Sequence, residues 1–189
     1  MRLRRLILGL TGASGIVYGV RFLDWVSRAG DIEVHLLMTS AAKVTLAHEM
    51  GLSPNELERK AAVVHDVRNI AAPIASGSFR TSGMVVAPCS MKTLAAIANG
   101  DSGNLLTRAA DVCLKERRPL ILVPRETPLH IGHLRALVKA AEIGAVILPP
   151  LPGFYFHPRT IDDLVDHTVG KILDQLGFEH TLFKRWGES

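Results

Sequence analysis

The sequence predicts an α/β fold in which a doubly wound parallel sheet forms one domain over residues 1–189. Three observations predict it. Five short segments are largely apolar, as are strands that are buried on both faces of a sheet. Segments with helical spacing of apolar residues alternate with them, which is the pattern of βαβ units joined by right-handed crossovers. The length of 189 residues also suits a single domain whose core needs no disulfide bonds.

The first strand is predicted at residues 5–10, after a basic pair. The apolar stretch Leu6–Leu10 is shorter than the core of a secretory signal and runs into a glycine-rich turn, so we interpret it as a buried strand. The first helix is predicted at residues 16–28, because apolar residues recur there at helical spacing.

The remaining elements continue this alternation. Further strands are predicted at 32–38, 84–87, 119–123 and 145–148. Further helices are predicted at 41–50, 91–99, 105–117, 130–142 and 161–176. The segment 69–83 is rich in Ala, Ser and Gly without a clear period, so we expect a long loop or a short irregular element there.

The composition argues against several classes of protein. The net charge is +4, but the basic residues are spread along the chain and aromatic residues make up only 5%, so nucleic-acid binding is not predicted. No apolar run has the length of a membrane span. The two cysteines, Cys89 and Cys113, form no C-x-x-C pair, which excludes a cysteine zinc site and a disulfide framework and suits a reducing cytoplasm.

Small and polar residues follow four of the predicted strands. Ligands of doubly wound sheets bind beyond the carboxyl ends of the strands, where the connecting loops meet. The sequence therefore predicts one crevice, formed by the loops at 11–15, 39–40, 88–93 and 124–128.

The first of these loops contains Gly12-Ala13-Ser14-Gly15. Small residues let the backbone approach a ligand, and the N–H groups at the start of the following helix suit a phosphate. Ser14 is suited either to touch a ligand or to act as a plain N-cap in a tight turn. The loop is neither a Walker loop nor a G-x-G-x-x-G fingerprint, which disfavours a nicotinamide-dependent dehydrogenase.

Basic residues in the later loops and helices are candidates for anion binding. Ser90 is a natural N-cap, and Lys92 lies where a positive charge is unfavourable for the helix dipole, so it is suited to an anion unless it is simply solvated. Arg125 suits an oxyanion or belongs to a surface ion pair with its neighbour. Arg108 and Lys115 are seven residues apart and share a helix face, which is either functional or a solvated basic face.

Metal and hydrolase motifs are not evident. His130 and His133 are the only close histidine pair, and there is no H-E-x-x-H motif or convincing third ligand, so no metal site is predicted. The absence of a G-x-S-x-G elbow disfavours a Ser/His/Asp hydrolase.

Six segments in consistent order resemble the UbiX-type flavin prenyltransferase family. They cover more than half the chain and lie at 11–21 (TGASGIVYGVR), 74–84 (IASGSFRTSGM), 87–100 (APCSMKTLAAIANG), 104–134, 144–158 (GAVILPPLPGFYFHP) and 184–186 (KRW). The resemblance implies a Rossmann-like or flavodoxin-like fold and a homo-oligomer, usually a dodecamer, with FMN held between subunits.

The resemblance also implies the reaction. A dimethylallyl group passes from dimethylallyl phosphate to N5 and C6 of reduced FMN, without a metal ion. The product, prenylated FMN, serves UbiD-type decarboxylases in ubiquinone synthesis or in the decarboxylation of aromatic acids.

Roles for individual residues follow from the resemblance alone. The implied FMN-binding residues are Gly12, Ala13, Ser14, Thr39, Ser90, Met91, Lys92, Thr93 and Arg125. The implied surroundings of the donor are Glu49, Arg108, Lys115, Glu126, Tyr155 and Lys171, with Trp186 closing over the prenyl tail. The implied catalytic residues are Ser14, Glu49, Lys115 and Glu126. Lys171 is a departure, since many members of the family have arginine at this position.

This reaction makes three physical demands. The basic residues would balance the charge of the leaving phosphate. The two aromatic residues would offer a π face and exclude water from a developing allylic cation. Glu49 or Glu126 would carry the protons. Two alternatives stay open: a related flavin-dependent decarboxylase of peptidyl or pantothenoyl cysteine, whose catalytic histidine and Asn-containing turn are not evident here, and a non-catalytic flavin carrier.

Overall fold

Six parallel strands form one sheet in the computed structural model, which describes residues 3–187. The strands are β1 (Arg4–Leu10), β2 (Ile32–Met38), β3 (Val63–His65), β4 (Gly83–Cys89), β5 (Leu120–Pro124) and β6 (Val146–Ile147). Every neighbouring pair is parallel and the order is β3-β2-β1-β4-β5-β6. This is the Rossmann order, and the five strands other than the three-residue edge strand β3 have the flavodoxin order. The doubly wound fold predicted from the sequence is confirmed.

Helices cover both faces of the sheet. They are α1 (Ile16–Arg28), α2 (Ser40–Met50), α3 (Pro54–Glu58), α4 (Met91–Ala98), α5 (Leu105–Lys115), α6 (Ile131–Glu142) and α7 (Ile161–Gln175). Alternate residues of β1 enter opposite cores: Leu6 and Leu8 pack with residues of α1 and α7, and Ile7 packs with residues of α4 and α5. Burial on both faces explains why β1 is apolar throughout its second half. Within residues 3–187 no helix is long and apolar enough to cross a membrane.

Two elements lie where none was predicted. The short helix α3 begins with a capping box, in which Ser53 and Glu56 satisfy each other's backbone N–H groups, and with a proline in its first turn. The motif Ser-Pro-Asn-Glu is a helix-start signal that could have revealed it. The strand β3 has three residues, and Val64 is half-exposed at the sheet edge, so its pattern is too short to read. The segment 69–83 contains a single 3₁₀ turn at Pro73–Ala75, in agreement with the predicted irregular element.

Candidate functional site

The helix α2 lies along the loop between β1 and α1. Three residues at spacings of four, Ala41, Thr45 and Glu49, contact this loop. A Cβ atom on Gly12 would overlap that of Ala41, so only glycine permits this approach. The Thr45 hydroxyl donates to the Gly12 carbonyl at 3.4 Å.

The side chain of Glu49, in the last turn of α2, lies at the N-terminus of α1. Its carboxylate accepts hydrogen bonds from the backbone N–H of Gly15, at 2.9 Å, and of Ile16, at 3.1 Å. The N-cap is Gly15, which has no side chain to cap the helix, so the alternative of Ser14 as N-cap is wrong. These N–H groups are those that the sequence suggested for a phosphate, and Glu49 takes them instead.

The environment of Glu49 favours its charged form. Burial raises the pKa of the Glu49 carboxyl, but hydrogen bonds from the Ser14 side chain and from the N–H groups of Gly15 and Ile16, with the charge of Arg125, lower that pKa below its ordinary value. The positive end of the helix dipole acts in the same direction. Glu49 is therefore a carboxylate, in contact with Ser14, at the mouth of the loops.

Thr11 joins the loop after β1 to the loop after β4. Its buried hydroxyl donates to the carbonyl of Pro88 at 2.8 Å and accepts the N–H of Ser90 at 2.8 Å. No role was predicted for Thr11, although a polar residue directly after a buried strand is a signal that could have found it. Ser90 is the N-cap of α4 and accepts the N–H of Thr93 at 3.3 Å, as predicted.

The other two loops reach the same edge of the sheet. The N–H of Thr39 donates to the carbonyl of Leu10, and its hydroxyl accepts the N–H of Ala42 at 3.1 Å. Arg125 Nε donates to the carbonyl of Ser14 at 3.2 Å, which joins the fourth loop to the first. The convergence of the four loops that the sequence predicted is confirmed.

Three further predicted residues of these loops differ in their surroundings. Met91 is buried in the core beneath α4, whereas the Lys92 side chain is exposed. Glu126 is exposed, and its carboxylate accepts the N–H of Thr127 at 3.1 Å. Cys89 lies at the end of β4, but burial raises the pKa of its thiol well above the ordinary value, so it offers no thiolate to a ligand.

Arg108 and Lys115 lie elsewhere on the protomer. Both are on α5, where Arg108 donates to the carbonyl of Ala75 at 3.1 Å and Lys115 pairs with Glu116 at 2.5 Å. The end of α5 leads directly into β5, so Lys115 lies at the amino edge of the sheet, opposite the four loops. Within one chain Lys115 therefore does not approach Glu49.

Tyr155, Lys171 and Trp186 form a third group, beside α7. The Tyr155 hydroxyl is 3.3 Å from His167 Nε2, and its ring packs edge-on against Trp186 with centroids 5.6 Å apart. Lys171 is one turn beyond His167 on the same helix face. Tyr155 and Lys171 therefore both lie beside His167.

The groups differ in what they can do chemically. The four loops offer backbone N–H groups, hydroxyls and the Glu126 carboxylate, with the Glu49 carboxylate of α2 beside them, and these groups suit a phosphate-bearing ring system and a proton transfer. The α5 group offers two cations, and the α7 group offers a cation beside two aromatic rings. The rings of His130 and His133 are tilted by 30° with centroids 3.6 Å apart. The described part of the chain holds no group of three His, Cys, Asp or Glu side chains that could bind a metal ion.

Comparison with known proteins identifies the family. The model of the family described as Flavoprotein matches residues 1–173. A curated relative from Salmonella typhimurium, named flavin prenyltransferase UbiX, is 55% identical over 186 residues, which cover 97% of this chain and 98% of the relative. The chain belongs to the UbiX family of flavin prenyltransferases.

Solved structures of UbiX proteins share the whole fold. One is described as a dodecameric FMN-dependent UbiX-like decarboxylase from Escherichia coli O157:H7; it is 47% identical, has a TM-score of 0.94, and the match covers 96% of this chain and 98% of that one. Another is AnUbiX (PadA1) in complex with FMN and dimethylallyl pyrophosphate, which is 44% identical with a TM-score of 0.95 over 100% of both chains. The similarity to UbiX proteins therefore extends through all three groups of candidate site residues.

Proposed function

We propose that this chain transfers a dimethylallyl group from dimethylallyl phosphate to N5 and C6 of reduced FMN. The observation that carries the proposal is the ionised Glu49 carboxylate at the point where the four loops converge. The near full-length identity to flavin prenyltransferases supports the same reaction, and so does the solved relative that contains FMN with a dimethylallyl donor. The prenylated FMN would pass to a UbiD-type decarboxylase. The two buried, unpaired cysteines suit a cytoplasmic protein.

The loops fit a flavin nucleotide. Ala13 and Ser14 have small side chains, so a flat ring can approach the backbone of the first loop. Ser90 and Thr93 place hydroxyls at the start of α4, where a helix N-terminus favours a phosphate. We propose that these residues, with Gly12, Ala13, Ser14, Thr39, Met91, Lys92 and Arg125, hold FMN. When bound, reduced FMN supplies the nucleophilic ring atoms that take the prenyl group.

The residues of the chain would assist the reaction through charge and position. We assign Glu49, hydrogen-bonded to Ser14, to proton transfer at the acceptor ring, and Glu126 to proton transfer at the leaving phosphate. Arg108, Lys115 and Lys171 would neutralise that phosphate. The rings of Tyr155 and Trp186 would shield the allylic group from water.

The separation of the three groups implies that more than one chain builds each site. Lys115 lies at the opposite edge of the sheet from Glu49, so both can serve one donor only if they come from different subunits. We propose a homo-oligomer, with a dodecamer as the expected size, because one solved relative is described as dodecameric.

Anaerobic incubation with reduced FMN tests the function directly. We expect dimethylallyl phosphate to convert the flavin to a product heavier by one dimethylallyl unit in mass spectrometry, with a chelator present throughout. A parallel reaction with dimethylallyl pyrophosphate identifies the preferred donor. An unmodified flavin would reject the proposal in favour of a flavin carrier, and dependence on added magnesium would reject the metal-free reaction.

A further inference from the structure

The segment that carries Trp186 is docked on one stripe of α7. The stripe consists of His167, Gly170 and Asp174, which are three and four residues apart and so lie on one helix face. The ring of Phe183 packs against His167 with centroids 4.8 Å apart. Gly170 leaves the space for this contact.

The approach at Gly170 is too close for any side chain. A Cβ atom there would lie 2.5 Å from Phe183 Cε1 and 2.6 Å from His180 Cε1. The C-terminal segment therefore lies directly against the backbone of α7, rather than on top of intervening side chains.

Asp174 joins this segment to the helix through two partners. Its carboxylate receives both terminal nitrogens of Arg185, at 2.7 and 3.3 Å, in a bidentate pair. It also lies 3.1 Å from Nε2 of His180, whose side chain is fully buried. Because Nδ1 of His180 accepts the N–H of Leu182, at 3.3 Å, Nε2 carries the hydrogen that Asp174 accepts.

The same carboxylate lies 3.5 Å from Nζ of Lys171. Asp174 is only 18% exposed, so these partners replace most of its contact with water. Burial raises the pKa of Asp174, but hydrogen bonds from Arg185 and His180 outweigh burial and hold that pKa below its ordinary value. The carboxylate is therefore charged at neutral pH.

Arg185 is directly followed by Trp186, whose own side chain is 81% exposed and whose ring contact is with Tyr155. An exposed indole has little packing to hold it, so its position depends on the residue that anchors the chain beside it. That anchor is the pair between Arg185 and Asp174.

We propose that Asp174 is a positioning residue of the donor site, which holds Trp186 against Tyr155 through Arg185. The same carboxylate lies 3.5 Å from Lys171, so the groups suited to the apolar tail and to the anionic head of a prenyl phosphate meet at Asp174. The donor assigned to this site rests on the proposed function, whereas the tethering of Trp186 does not.

The first test follows Trp186 itself, in a Trp25→Phe background where it is the only tryptophan. We expect Asp174→Asn to lower the fluorescence anisotropy of Trp186, because the released indole moves more freely, and to speed tryptic cleavage after Lys184. Asp174→Glu, which keeps the charge, should restore much of the anisotropy. Asp166→Asn is the matched control, because Asp166 is on the same helix, 22% exposed, and paired with Arg21 at 2.7 Å; it should leave the anisotropy unchanged.

The second test measures turnover. We expect Asp174→Asn to raise the KM for dimethylallyl phosphate roughly tenfold or more, on the scale of a lost hydrogen bond to a charged group, with FMN affinity unchanged. Equal anisotropy of Trp186 in the parent and in Asp174→Asn would overturn the proposal, as would an equal effect of Asp166→Asn. If circular dichroism shows that Asp174→Asn does not fold, Arg185→Gln gives the same readout from the other end of the pair, and unchanged anisotropy there would also overturn it. A parent in which Trp186 is held in place but no prenyl transfer occurs would reject the proposed function alone.

Discussion

The carboxylate of Glu49, in the last turn of α2, accepts the backbone N–H of Gly15 at 2.9 Å, at the start of α1. A negative charge is thereby fixed at the positive end of a helix. The charge lies beside the loop that would receive the flavin ring, and it contacts the hydroxyl of Ser14. This arrangement suits a base that must be ionised before the substrate arrives.

Glu49 is expected to serve chemistry more than folding. Glu49→Gln keeps an acceptor oxygen for the N–H groups of Gly15 and Ile16, so the start of α1 should persist. We expect FMN affinity to be retained while product formation slows by roughly a hundredfold or more, the scale of a positioned acid–base group. Single-turnover mass analysis of the flavin measures this rate.

Glu56→Gln is the control for this prediction, because Glu56 also accepts a backbone N–H at a helix start, that of Ser53 at 2.7 Å. It should leave turnover unchanged. Near-normal turnover in Glu49→Gln would show that the carboxylate only caps the helix.

The role of Glu49 could not be derived from the sequence pattern, although the convergence of the loops could. Parallel strands send all their carboxyl ends to one edge, so the loops after β1, β2, β4 and β5 had to meet there. The path of α2 cannot be predicted in this way, because a helix of that length can return along the sheet or lie across its edge. Residues 41, 45 and 49 share the face of α2 that contacts the first loop. Nothing in the local sequence indicates which face of α2 makes this contact. The position of Glu49 was therefore implied by the family resemblance alone.

The separation of the donor residues into one group on α5 and another beside α7 was not predicted, for a related reason. Arg108 and Lys115 were correctly placed on one helix face, but that face packs against the chain around Ala75 and Gly77, away from the loops. A sequence indicates which residues share a helix face, but it does not indicate in which subunit that face completes a site.

Sites that span two subunits predict complementation between inactive variants. Glu49→Gln and Lys115→Ala should each be slow alone. When the two chains are expressed together and mix at random, roughly a quarter of the sites receive both unmodified residues, if each site draws on two chains. We expect activity to reappear in the mixed oligomer to about that extent, measured by flavin mass analysis after purification through a tag on each chain.

Light scattering on the same preparations provides the independent check. A fully active monomer would contradict the shared site. Mixed oligomers without any recovered activity would contradict a site that Glu49 and Lys115 share between chains.

A cluster of polar side chains on β2 and β3 predicts that the free energy of unfolding depends on pH. His35 Nδ1 and His65 Nε2 are 2.9 Å apart, and His35 Nε2 lies 2.8 Å from Glu33, which pairs with Arg5. The ring of Phe79 packs edge-on against His35. Burial, and then the neighbouring His35, lower the pKa of His65 below its ordinary value.

The sign of the effect follows from this lowered pKa. As the pH falls through the ordinary histidine range, near 6.5, the unfolded chain takes up a proton that folded His65 resists. The free energy of unfolding should therefore decrease from about pH 7 towards pH 5, and the contribution of His65 is at most about 1.4 kcal/mol per pH unit, which partial solvent exposure reduces.

Urea unfolding at several pH values measures this slope. His65→Gln should make it shallower, whereas His48→Gln, at an exposed position of α2, should not. His167 also has a lowered pKa, caused by burial and by the charge of Lys171, so part of the slope should remain in His65→Gln. An unchanged slope in His65→Gln would contradict the prediction.

Lys171 is the position where this chain departs from many members of its family, and the structure shows what its ammonium group does in the protomer. It is 46% exposed and lies 3.5 Å from Asp174, a pair worth little at such exposure, so turning the ammonium towards an anion costs little. An ammonium cannot grip a phosphate bidentately as a guanidinium does, but a hydrogen bond to a charged group still contributes about 1.5–3 kcal/mol. We therefore expect Lys171→Ala to raise the KM for dimethylallyl phosphate roughly ten- to a hundredfold without changing FMN affinity, and Lys171→Arg to be tolerated. Lys60→Ala removes a comparably exposed lysine that pairs with Asp24, and it should leave both quantities unchanged. Equal donor KM values for the parent and for Lys171→Ala would show that Lys171 is a solvated lysine on the surface of α7.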